Sequence, residues 1–160
     1  IIITYARCPG LTGYVSKNVL EKVPLLSTWM RRLHCLFINR EDVKEALKTI
    51  LAGIDNIKNG ISMCIFPEGT RNTTEELLLP FKEGSFKMAE KTGCPIVPMA
   101  ISGSAEVLEN HIPKIKATHV VLEYGKPIYL NELDKDTKKK LGHYCQNIIA
   151  EMLEKNAGLL

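Results

Sequence analysis

Two short apolar runs, Cys35–Ile38 and Ile61–Phe66, bracket one long amphipathic segment. Within it Val43, Ala46, Leu47, Ile50, Leu51, Ile54 and Ile57 recur at helical spacing and make one apolar stripe. Asn39 or Glu41-Asp42 can cap its start, and Gly60 ends it. The same alternation continues on both sides. Gly13–Lys17 reads as a short strand, and Val19–Leu33 as a helix with Leu20, Val23, Leu26, Trp29, Met30 and Leu33 at helical spacing. Pro24 falls in the first turns of that helix or bends it. Downstream come a helix over Glu83–Lys91 ended by Gly93, strands over Pro95–Ile101 and Val120–Tyr124, and a last helix over Asp136–Lys155. Ile1–Cys8 reads as the end of a helix. Strands that are apolar throughout, alternating with helices, predict an α/β fold: a mainly parallel sheet flanked by helices on both faces.

The chain has 160 residues, which suits a single domain over 1–160 able to bury a core without metals or disulfides. Its mix of 45% hydrophobic and 24% charged residues is that of a globular chain and argues against disorder. A net charge of +3 is too small to indicate nucleic acid, and Lys138-Lys139-Lys140, beside Asp134 and Asp136, reads as a solvated helix start. The charge suits an anionic substrate or an anionic membrane surface. Five cysteines, an odd number with no metal-ligand spacing, indicate neither a disulfide framework nor a metal site; a reducing compartment is the simplest reading. Cys35, Cys64 and Cys94 fall in or beside apolar strands as buried small hydrophobes. No apolar run approaches the ~18 residues of a membrane span.

Ligands of such sheets bind beyond the C-terminal strand ends. Lys17-Asn18, Asn39-Arg40 and Pro67–Arg71 all lie at such ends. Phe66-Pro67-Glu68-Gly69-Thr70-Arg71 is the sharpest of these features. Gly69 lets backbone N–H groups approach a ligand, Thr70 offers a hydroxyl, and Arg71 a fork of donors matched to a phosphate dianion. Arg40 and Lys17 are further cations for the same edge. Each has a plainer reading: a strand-to-loop turn with a surface Glu–Arg pair, an Arg40 pairing with Glu41 or Asp42, a surface lysine. Lys82-Glu83-Gly84-Ser85 reads as an anion-binding helix start or an ordinary one. Trp29 and Met30, beside Lys17, Lys22, Arg31 and Arg32, suit either an interfacial helix or one packed on the sheet.

Phe66–Arg71 resembles, letter for letter, the FPEGTR block of the glycerolipid acyltransferases, specifically the PlsC-type 1-acyl-sn-glycerol-3-phosphate acyltransferases. Leu36-Phe37-Ile38-Asn39-Arg40 resembles the preceding block and Val97-Pro98-Met99-Ala100-Ile101 the following one, in the same order and spacing. Phe81–Ser85 is similar to bacterial members. The resemblance implies transfer of a fatty acyl group from acyl-CoA or acyl carrier protein to the 2-hydroxyl of lysophosphatidic acid, giving phosphatidic acid. A His general base oriented by an Asp five residues on would serve it, with no metal or other cofactor. It implies Arg40, Arg71 and Lys17 on the substrate phosphate, Glu68 ordering the loop or touching the glycerol, and Gly69 and Thr70 shaping the cradle. The expected place is the cytoplasmic side of a membrane, peripheral or held by upstream helices, with no nucleic-acid partner.

Two departures stand out. Asn39 replaces the block's usual Asp. The His-x-x-x-x-Asp pair is absent: five positions after His34, His111, His119 and His143 come Asn39, Lys116, Tyr124 and Ile148. The four histidines read as structural or surface groups. The expectation is a domain lacking its N-terminal part, with that pair just upstream of Ile1, and inactive alone. The alternative is a non-catalytic phospholipid- or phosphate-binding module. A nucleotide-binding domain is weaker, because neither phosphate-loop string occurs.

Overall fold

The computed structural model describes residues 2–160. The chain divides into two compact units: one runs up to Thr70 and takes in Lys82–Cys94, the other comprises Arg71–Phe81 and Pro95–Leu160.

The first unit is built on a three-stranded parallel sheet. β1 (Thr12–Lys17) lies at the centre, between β2 (Leu36–Ile38) and β3 (Ser62–Cys64). Val15 stands opposite Leu36, Lys17 opposite Ile38, and Tyr14 opposite Cys64. Helices flank both faces, as the alternation predicts. On one face Tyr14, fully buried, packs with Met30 and Cys35, ringed by Tyr5, Cys8, Leu20 and Phe37. Tyr5 comes from α1 (Ile2–Tyr5), Met30 from α2 (Leu26–Arg32) and Leu20 from a 3-10 turn over Asn18–Lys22, while Phe37 lies on β2, Cys35 just before it and Cys8 beyond the end of α1. On the other face lies α3 (Val43–Lys58), whose Asn56 amide donates to Met63 Sδ and to the His34 carbonyl. Gly13 is required on β1, because a Cβ there would lie 2.3 Å from the His34 carbonyl oxygen. Gly53 has the same role on α3, where a Cβ would meet the Met88 sulfur of α4 (Lys87–Thr92) at 2.4 Å.

One expectation for this unit fails, and one apolar stripe packs only in part. The helix over Val19–Leu33 is broken: the 3-10 turn ends at Lys22 and α2 starts only at Leu26. Pro24 carries no N–H to continue a helix, and Leu25 adopts φ 63. The apolar stripe of α3 is only partly buried. Ile54 is buried, but Val43, Leu47 and Leu51 are exposed, because α3 rests through Thr49 and Gly53 instead. Asp42, one of the offered caps, accepts from the N–H groups of Lys44 (2.8 Å) and Glu45 (3.1 Å). Among the five cysteines, all free, Cys35 and Cys145 are buried, whereas Cys64 and Cys94 are half-buried.

In the second unit β4 (Met99–Ser102) pairs with β5 (Val121–Tyr124), antiparallel, with Ala100 opposite Glu123. β4 starts four residues later than the apolar run, since Pro95 and Pro98 cannot donate to a ladder; Ile96 makes a lone bridge to Ile128. The last helix divides at Lys140 into α5 (Lys135–Lys139) and α6 (Leu141–Ala157). Leu141, Cys145 and Met152 of α6 are buried with Ala100 and Ile128.

Candidate functional site

Because β1, β2 and β3 are parallel, the loops that follow them leave the same edge of the sheet. Lys17 is the last residue of β1, in register with Ile38, and Arg40 follows two residues beyond Ile38. Both side chains are exposed. Neighbouring strands lie about 4.8 Å apart, so the two cations issue from adjacent points of one rim.

The loop after β3 folds onto this rim through a tight turn. The Gly69 N–H donates to the Phe66 carbonyl at 3.0 Å, with Pro67 at the position where its fixed φ suits the turn. Gly69 is buried at φ 75, and the Arg40 guanidinium lies directly against it. A Cβ at Gly69 would sit 2.4 Å from Arg40 Nη1 and 2.9 Å from Cζ. Glycine here serves two ends: it permits the left-handed backbone, and it leaves room for the guanidinium. The Lys82 N–H donates to the Pro67 carbonyl at 3.0 Å and draws the Lys82–Ser85 helix start back to the turn. Glu68 is half-buried and Thr70 exposed beside Gly69. Arg71 is exposed and begins the segment that groups with the second unit.

Asn39 is held on both sides. Its Nδ2 donates to Glu45 Oε2 at 2.8 Å, and its Oδ1 accepts the Glu41 N–H at 3.2 Å. An amide suits this position because the side chain must donate to a carboxylate. The histidines have structural surroundings. His34, at φ 56, closes α2, and its carbonyl is the acceptor for Asn56. His111 Nε2 meets Glu106 at 3.0 Å on an exposed turn, and His119 and His143 are exposed.

One residue at this rim carried no sequence signal. Ser16, next to Lys17, is 5% exposed, and its hydroxyl has no hydrogen-bond partner. A serine in a short apolar strand looks like filler until its burial is known. A cleft of about 490 Å³ lies wholly within the second unit, between β5 and α6, and includes none of the sequence-predicted site residues.

Cations at the C-terminal ends of parallel strands, beside a glycine turn, mark this as an α/β domain with its candidate site at one sheet edge, and the comparisons give its family. The chain belongs to the acyltransferase family, whose model, described as Acyltransferase, matches residues 2–102. It is 32% identical over 148 residues to the 1-acyl-sn-glycerol-3-phosphate acyltransferase of Saccharomyces cerevisiae, covering 91% of this chain and 48% of that protein. It is 31% identical over 143 residues to the Escherichia coli enzyme of the same name, covering 89% and 57%. Its fold superposes on the crystal structure of the 1-acyl-sn-glycerophosphate acyltransferase PlsC from Thermotoga maritima. The TM-score is 0.74 at 24% identity, covering 91% of this chain and 57% of that one. The chain therefore spans about half the length of these relatives.

Proposed function

We propose that this chain supplies the phosphate-binding part of a 1-acylglycerol-3-phosphate O-acyltransferase, an enzyme of phospholipid biosynthesis that makes phosphatidic acid. The observation that carries the proposal is the Arg40 guanidinium laid against the Gly69 turn, at the rim from which Lys17 also issues. Arg40 and Lys17 take the phosphate dianion, with Arg71 as a third cation assigned by its place in the family block. Glu68 orders the turn or meets the glycerol, and Gly69 and Thr70 shape the cradle. A charge-assisted contact of this kind contributes about 1.5–3 kcal/mol.

In the reaction, the 2-hydroxyl of the lysolipid attacks the thioester carbonyl of acyl-CoA or acyl carrier protein. The new ester C–O bond forms as the C–S bond breaks, and the hydroxyl proton passes through a general base to the departing thiol. No histidine in these 160 residues is followed by Asp five positions on, so these residues hold and orient the acceptor rather than move that proton. The same absence favours, as a second reading, a phospholipid-binding module without catalysis. The scheme calls for no cofactor beyond the acyl donor. With a lipid acceptor, the enzyme works at a membrane surface, on the cytoplasmic side, peripherally or held there by helices upstream of these residues.

The test is titration of the chain with 1-acylglycerol-3-phosphate and with 1-acylglycerol lacking the phosphate. The phosphorylated lipid should bind at least about tenfold more tightly, and Arg40→Ala should remove most of that difference. Equal affinities would end the proposal. Acyl transfer by the chain alone would refute the view that it only binds and orients.

A further inference from the structure

The broken segment between β1 and α2 displays apolar side chains that an interior helix would hide. Leu25 is 86% exposed, Val19 63%, Trp29 42% and Val23 41%. Met30, the next residue after Trp29 on α2, is buried at 2% and anchors the helix to the Tyr14 core. Trp29 is further fixed by an edge-on contact with Tyr5, ring centroids 5.8 Å apart. Leu25 holds a positive φ, which costs a branched aliphatic residue about 1–2 kcal/mol, and the strained residue projects its side chain into solvent.

Charge sharpens the reading. Over residues 17–32, Lys17, Lys22, Arg31 and Arg32 stand against Glu21 alone, a surplus of three. The chain has 21 basic and 18 acidic groups, so the remaining residues carry 17 of each and are neutral together. The whole net charge of the protein thus coincides with its Leu25–Trp29 apolar corner. Glu21 is itself paired to Arg31, leaving Lys22 and Arg32 to face outward.

We propose that this corner is the surface by which the protein docks on an anionic lipid bilayer, with Val19, Val23, Leu25 and Trp29 entering the headgroup boundary and Lys22 and Arg32 meeting lipid phosphates. Apolar anchors interleaved with cations suit a bilayer, which offers hydrocarbon beneath a negative surface. Choosing a lipid surface over an acidic protein also rests on the lipid acceptor proposed above. The corner directly follows Lys17, so docking brings the phosphate rim next to the membrane from which a lysolipid must come.

Trp29 is the only tryptophan of the chain, so its fluorescence reports this corner alone. The chain is titrated with vesicles of phosphatidylcholine alone and of phosphatidylcholine with phosphatidylglycerol in equal parts. A blue shift is expected with the anionic vesicles, weaker with neutral ones and reduced by salt. Leu25→Asn removes an exposed apolar side chain and disturbs no packing, yet should weaken vesicle binding at least about tenfold. Arg32→Glu should abolish the preference for anionic vesicles. Co-sedimentation without a Trp29 shift would assign the contact elsewhere, the exposed Leu47–Leu51 stripe of α3 for one, and overturn the proposal. No response to either vesicle would leave the corner to a protein partner and overturn it equally. Neither result depends on lysolipid affinity, so this inference and the proposed function fail separately.

Discussion

Gly69→Ala tests the architecture of the rim. The added methyl meets Arg40 Nη1 at 2.4 Å and Cζ at 2.9 Å, distances at which one group has to leave. The Gly69 backbone is pinned by its bond to Phe66, whereas the guanidinium ends a flexible side chain, so Arg40 moves. Stability then falls chiefly through the left-handed backbone, by about 1 kcal/mol, or roughly 2–4 °C in Tm for a chain of this size. Binding suffers more, since a displaced guanidinium forfeits a contact of about 1.5–3 kcal/mol, roughly 10–150-fold in Kd for the lysophospholipid. The decisive measurement is a double-mutant cycle read by calorimetric titration. If the alanine acts by moving Arg40, it should weaken binding strongly in the wild type and hardly at all in Arg40→Ala, while its cost in Tm persists in both. Equal factors in the two backgrounds would refute the steric coupling.

Asn39→Asp places a second carboxylate against Glu45 and should lower the urea midpoint by about 0.5–1 kcal/mol of stability; adding Glu45→Gln should restore it. The Cys64 thiol is pushed up to about 12, first by burial and then by the neighbouring Cys8. At pH 8 its thiolate is then about one part in ten thousand, so iodoacetamide should label Cys64 in urea but hardly in the native chain, as read by peptide mass. The Asp134 carboxyl is held below its ordinary value, first by the Thr137 hydroxyl and then by the Thr137 N–H. Its contribution is present above the unfolded value near ~3.9 and is lost as pH falls through the lower folded one. Wild type and Asp134→Ala should therefore differ in urea midpoint at neutral pH and converge in acid.

The first unit was largely legible because its signals are local. Apolar runs and a helical stripe specify β2, α3 and β3 in turn, and the sharp turn at Phe66–Gly69 announces itself by composition. What escaped was set by packing. The spacing of α3 showed an apolar stripe but not which of its residues pack: α4 approaches closely at Gly53, and the helix rests on its small residues while Leu47 and Leu51 stay exposed. Pro24 was visible, yet whether it bends or breaks a helix depends on what the next residue adopts, and Leu25 took a conformation no propensity scale favours. At the rim, the residue types of Lys17, Arg40 and Gly69 pointed to an anion. The contact between Arg40 and Gly69 joins residues 29 positions apart in sequence, beyond the reach of periodicity. The antiparallel β4–β5 pair was equally hidden, since a short apolar run does not state its direction.

The single bond from Lys82 N–H to the Pro67 carbonyl has a consequence for how such proteins diversify. It staples the two ends of the intervening stretch, so the chain leaves the Phe66–Gly69 turn and comes back to where it left. Extending a stretch closed in this way adds only a little loop-closure entropy, about 0.6 kcal/mol per doubling, and puts no tension on the turn. Residues 73–77, exposed throughout, are thus a place where the loop can lengthen without moving the Phe66–Gly69 turn, so the turn and the loop it closes can change independently.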